Sequence, residues 1–203
     1  MSKNRVLVGV ALLAVAMFTV SCAKPPQQEI DQAKAALAAA EQAEAAKYAA
    51  DAYDQAQRAM NAVNAELEAQ NAKFALFRSY TKTKQLIVDA TNAANAAKEA
   101  GIAGKERAKN EAQAAIDAAR AALAAAGEAM TALENCRRKP KDLKKDLEMM
   151  KGNLDAFTSQ MGSVESAFAR EDFFGAKAQA ESLKGQVDAM TAELTEVKAK
   201  IRC

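Results

Sequence analysis

Apolar residues recur along this chain at alternating steps of three and four, the spacing that aligns side chains on one face of an α-helix. The last third shows the pattern most clearly. Leu143, Leu147, Met150, Leu154, Phe157, Met161, Val164 and Phe168 form one stripe, and Phe173, Ala176, Ala180, Leu183, Val187, Met190, Leu194, Val197 and Ile201 form a second. Two uninterrupted heptad stripes, separated only by Ala169-Arg170-Glu171-Asp172, predict an antiparallel coiled-coil hairpin. Asp172 is placed to cap the returning helix, and Phe168 and Phe173 to pack across the turn.

Upstream, Ile30, Ala33, Leu37 and Ala40 open a helix reaching to about residue 46, and Ala49, Tyr53, Ala56, Met60, Val63 and Leu67 mark another over about 49–69. The polar run from Glu68 to Lys73 predicts a turn, since Asn71 tolerates the left-handed conformation common at helix ends. A third helix is predicted from about Lys73 to Asn135. Its stripe runs through Ile87, Ala90, Ala94, Ala97, Gly101, Gly104 and Ala108, then Ala112, Ile116, Ala119, Leu123, Ala126, Met130 and Leu133. Between Ala108 and Ala112 the step is four where three is due, a stutter that locally unwinds a coiled coil. Gly101 and Gly104 precede it, each costing about 1 kcal/mol relative to Ala inside a helix. A bend or break is therefore expected there.

Composition narrows the fold further. Alanine makes up about a quarter of the chain, and no proline falls between Pro26 and Pro140. Alanine is the best helix former and buries little surface, so its helices meet in thin, close-packed seams. The fold class predicted is all-α: elongated helical hairpins, one long central helix and a C-terminal antiparallel coiled-coil hairpin. The domains that follow are an Ala-rich helical region over 29–135 and the hairpin over 136–203.

The first residues point to a compartment. Lys3 and Arg5 precede an uncharged apolar run from Val6 to Val20, followed by Ser21 and Cys22, the layout of a signal peptide over 1–21. The run is shorter than the roughly 20 residues a helix needs to cross a bilayer. Thr19-Val20-Ser21-Cys22 resembles the bacterial lipobox, which implies that Cys22 is the lipidated first residue of the mature chain. Ala23 after it implies sorting to the outer membrane, facing the periplasm. Residues 22–28, with Pro25-Pro26, read as a lipidated tether. Residues 1–21 hold two of the 28 basic residues and none of the 26 acidic ones, so the mature chain sets 26 against 26 and is neutral. No basic field draws it to nucleic acid.

With Cys22 used by lipid, Cys136 and Cys203 remain as a pair in an oxidising compartment. The antiparallel hairpin brings its last residue back to its first, which predicts a disulfide between them within one chain; a bond to another molecule through Cys203 is the alternative. Arg137, Arg138, Lys139, Lys141, Lys144 and Lys145 gather near the same tip, with Lys198, Lys200 and Arg202. They form either a basic pole for an anionic envelope surface or a solvated helix end. Tyr48, Tyr53, Phe74, Phe77 and Tyr80 cluster around the first helix connections, as a ligand platform or, more ordinarily for aromatics at helical spacing, as core. The chain has no histidine, and no Gly-rich phosphate loop or Gly-x-Ser-x-Gly elbow is present. No cofactor, metal site or enzymatic activity is expected.

The stretches from Ala33 to Glu41 and from Lys47 to Ala50, with Ala56 to Ala97, resemble the Ala-rich bacterial lipoproteins of the domain of unknown function 4398 family. This chain carries Ala50 where that family has Pro, and Ala72-Lys73 where it has Gly-Asp. The resemblance, over about residues 30–100, implies a lipid anchor and helical hairpins of tetratricopeptide type, and it assigns no activity. Two functions are consistent with these readings. One is a lipid-anchored structural or protein-interaction lipoprotein, a coiled-coil scaffold or spacer engaging an envelope protein or peptidoglycan, with oligomers allowed. The other is a binding module for an anionic envelope polymer or small ligand.

Overall fold

A computed structural model describes residues 24–137 and 141–201, and among them all regular structure is helical. Lys24, Pro25 and Pro26 precede the first helix. Helix α1 spans Gln27–Gln42, α2 Ala45–Tyr48, α3 Ala50–Asn71, α4 Thr81–Glu134, α5 Lys141–Ala169 and α6 Phe173–Lys200, with a 3₁₀ turn at Ala75–Phe77. The described chain divides into two compact units between Gly104 and Lys105, inside α4. Each unit has its own core.

In the first unit, α1, α3 and the first half of α4 pack as three helices. Ile30 and Ala33 of α1 meet Met60 and Val63 of α3 and Ile87 and Ala90 of α4. Further along, Ala40, Ala45, Tyr53, Ala56, Ala94 and Ala97 close the seam. Each large buried side chain contributes about 1.5–3 kcal/mol, and alanine much less, so Ile30, Met60, Val63 and Ile87 dominate. The first helix ends at Gln42, earlier than its apolar stripe suggests, because Glu44 takes the left-handed conformation at φ 54°. The chain restarts at once as the single turn α2.

Helix α4 departs from expectation twice. It begins at Thr81 and not near Lys73, because the connection from α3 is stapled by side chains. The Arg78 guanidinium donates to the carbonyls of Asn71 and Lys73 at 2.9 and 3.0 Å, and the Ser79 amide donates to Gln70 Oε1 at 3.0 Å. These bonds hold residues 72–80 out of helix. Nor does α4 break at Gly101 and Gly104; it runs unbroken for 54 residues. The glycines serve closeness instead. A Cβ at Gly104 would stand 2.2 Å from the Tyr48 carbonyl oxygen, and one at Gly101 2.9 Å from that of Ala43. The backbone of the α1–α2–α3 corner therefore lies directly on α4.

The second unit joins the latter half of α4 to the α5–α6 hairpin. Ile116, Ala119, Ala126, Met130 and Leu133 of α4 share one core with Leu143, Leu147, Met161 and Val164 of α5 and Leu183, Val187 and Leu194 of α6. The two heptad stripes do pair as an antiparallel hairpin, and the alanine stripe of α4 supplies a third strand of packing. For that reason the core boundary falls at 104/105, whereas the change in sequence pattern at 135/136 marks only the end of α4. Asp172 caps α6, accepting a hydrogen bond from the Gly175 amide at 3.2 Å. Phe168 and Phe173 meet edge to face with centroids 5.2 Å apart.

Candidate functional site

The aromatic group around the first connections separates into two sets. Tyr53 and Tyr80 are buried and their hydroxyls are used: Tyr53 donates to Glu41 Oε1 at 2.5 Å and Tyr80 to Asn71 Oδ1 at 3.3 Å. The bond to the Glu41 carboxylate, with desolvation behind it, holds the Tyr53 phenol above its ordinary pKa. Tyr48 is half-buried, with Lys47 Nζ 5.1 Å from its ring centre. These three are packing residues.

Phe74 and Phe77 are the opposite case. They are 69% and 75% exposed, and Leu76 between them is 57% exposed, so three large apolar side chains stand together in solvent. The rings lie 6.4 Å apart, and the Phe77 amide donates to the Phe74 carbonyl at 2.9 Å. Beneath them the polar groups are tied down. Buried Gln70 donates to Glu66 Oε1 at 2.7 Å and accepts from Lys73 Nζ and the Ser79 amide. Lys82 pairs with Glu66 at 2.6 Å and, together with Gln70, holds its carboxyl below the usual carboxylate range. The loop is thus built to present Phe74, Leu76 and Phe77 outward. Leu76 was not singled out from sequence. The signal is the unbroken apolar run Phe74-Ala75-Leu76-Phe77, which keeps no three–four spacing and sits between Lys73 and Arg78.

This loop shares an end of the first unit with the start of α1. Ile30, in the first turn of α1, packs in one cluster with Val63 and with Ile87 near the start of α4. Glu29 Oε1 lies 4.0 Å from Lys84 Nζ. The opposite end holds the α1–α2–α3 corner.

Of the other sequence-predicted sites, Cys22, Arg138, Lys139, Cys203 and the side chain of Lys141 lie outside the described residues. Cys136 is half-buried and disulfide-bonded, and neither of the other two cysteines of the chain is among the described residues. Arg137, Lys144 and Lys145 are exposed. Among the described residues no group of three or more His, Cys, Asp or Glu is placed to hold a metal ion. Two shallow grooves of about 370 and 380 Å³ lie on the second unit. The first has Gln160, Gln179 and Gln186 over Val164 and Leu183, with no ionisable group in its lining. In the second, Lys177 pairs with Glu111 at 2.8 Å, which lowers the glutamate's pKa and raises the lysine's. Neither holds a nucleophile beside a base.

Comparison with known protein families, with characterised proteins and with solved structures finds no match for this chain. The functional reading therefore stands on the residues of this chain alone.

Proposed function

We propose that this protein is a structural or protein-interaction lipoprotein of the bacterial envelope, anchored through Cys22 and acting as a helical scaffold or spacer without catalysis. The observation that carries this reading is that a single 54-residue helix serves two separate cores, and the exposed charges between helices are spent on ion pairs such as Arg120–Glu165 and Lys177–Glu111. Helix-on-helix packing of this kind supplies surfaces, and the described residues bring no acid–base or nucleophilic arrangement to them. Among the described residues no helix is long and apolar enough to cross a membrane; the acyl group proposed at Cys22 rests on the resemblance of residues 19–22 to a lipobox. The proposal includes an outer-membrane address facing the periplasm and removal of residues 1–21. Fractionation tests the anchor: Cys22→Ala should release the protein from membranes, and retention through an alkaline carbonate wash would overturn it. Crosslinking in cells followed by mass spectrometry should then recover an envelope protein or peptidoglycan fragment.

The second reading, a module binding an anionic envelope polymer, is supported by the exposure of Arg137, Lys144 and Lys145 near the start of α5. Capture of polymer from envelope extract would have to vanish at high ionic strength, because exposed charges are screened beyond about 10 Å at 0.1 M salt.

A further inference from the structure

We propose that the loop carrying Phe74, Leu76 and Phe77 is a membrane-interface contact that inserts into the same bilayer leaflet as the lipid anchor and sets the end of the first unit against it. This rests on the reading of Cys22 as the anchor. Soluble surfaces rarely gather large apolar side chains, and here three adjoin in a loop whose polar groups are satisfied from below. The exposure is therefore a presented surface and not an unpaired backbone segment.

What identifies the occupant is the position of the anchor. The Ile30–Val63–Ile87 cluster and the Glu29–Lys84 approach put the start of α1 at the same end of the unit as the loop. Only Ala23 separates Cys22 from Lys24, so covalent geometry keeps the Cα of Cys22, the root of any acyl group it carries, within about 7 Å of the Cα of Lys24. Pro26 is buried and the Gln27 amide donates to the Pro25 carbonyl at 2.9 Å, which fixes the chain as it leaves α1. A bilayer holding the anchor is thus brought to this end before any other. Phe and Leu side chains lower their free energy by entering the acyl–headgroup boundary, and Lys24, exposed ahead of α1, is available to lipid phosphate. The anchor supplies attachment and the loop supplies orientation.

The chain contains no tryptophan, so Phe77→Trp introduces a single reporter, and Ile102→Trp, at the opposite end of the same unit, a control. The lipidated full-length mature protein is reconstituted into vesicles of phosphatidylethanolamine and phosphatidylglycerol. Trp at 77 should emit at shorter wavelength than in detergent-free Cys22→Ser protein and be quenched by shallow brominated lipid, while Trp at 102 should remain accessible to iodide. Phe74→Ser should weaken quenching at 77 without releasing the protein. If the protein is vesicle-bound and Trp at 77 stays iodide-accessible and unquenched, the loop proposal fails and the anchor reading survives. If the Cys22→Ser protein binds as firmly as the lipidated one, the anchor reading fails. A shift at 77 that requires added envelope protein, and not lipid, would make the loop a protein-docking surface and overturn the proposal.

Discussion

At residue scale, the helical glycines show that one residue type does opposite work at different positions: Gly104 in α4 and Gly162 in α5. At Gly104 an added methyl would meet the Tyr48 carbonyl at 2.2 Å, a backbone atom that cannot swing aside. The gain in helix propensity, about 1 kcal/mol, is outweighed by overpacking, which costs about 1–3 kcal/mol or more. Gly104→Ala should therefore lower stability in urea titration. Gly162, with nothing within 4 Å, escapes that clash, and Gly162→Ala should raise stability by about 0.5–1 kcal/mol. Stabilisation by both substitutions would contradict the contact between α4 and the Tyr48 backbone. Thr83 makes a second case. It is fully buried near the start of α4 and its hydroxyl has no hydrogen-bond partner among the described residues. An apolar group of the same shape removes that desolvated oxygen, so Thr83→Val should leave stability unchanged or higher. A loss of more than about 1 kcal/mol would show the hydroxyl to be bonded.

At the scale of elements, ion pairs link neighbouring helices, and their pH dependence has a definite sign. Glu66 is held below its ordinary value of 4.5 first by its bond from Lys82, and Glu111 by its bond from Lys177. A carboxylate whose pKa is lowered by folding contributes fully above 4.5, and that contribution disappears as pH falls below it through the folded value. Lys177 is raised above 10.5, so its share is present below that pH and fades as alkali carries it through the raised value. The melting temperature should fall as the pH drops below about 4.5, and less steeply in a Glu66→Gln, Glu111→Gln double variant; equal slopes would mean these pairs contribute nothing to folding. The hairpin that one of these pairs braces was legible from sequence, because large residues such as Leu143, Leu147, Leu183 and Leu194 can hold a heptad register only by being buried. Its third helix was not. Ala112, Ala119 and Ala126 fit any close-packed neighbour equally well, so their stripe announces a seam without naming what fills it. The same ambiguity made Gly101 and Gly104 read as a break when they mark close approach. The start of α4 was hidden because Gln70 and Arg78 fix the loop through side-chain bonds that no periodicity records.

At the scale of the molecule, two cores that share no residue are joined through one helix, and this shapes how the protein unfolds. A helix without tertiary packing is marginal in water, so each half of α4 depends on its own unit for stability. Two separable cores permit departure from two-state behaviour. Cys136, which is disulfide-bonded, belongs to the second unit. With Cys203 as its proposed partner, the closed loop would stabilise that unit by about 4 kcal/mol in the chain-entropy view. Mass spectrometry of unreduced protein should find these two cysteine peptides joined within one chain; a bond only between chains would point to a dimer held through Cys203. Calorimetry should then resolve two transitions. Met60→Ala, removing a large side chain from the first core, should cost about 2–5 kcal/mol and lower one transition alone. Leu183→Ala, or reduction of the disulfide, should lower only the other. One transition that moves by the same amount for all three changes would show instead that α4 couples the cores into a single cooperative block, with the energy lost in either unit drawn from both.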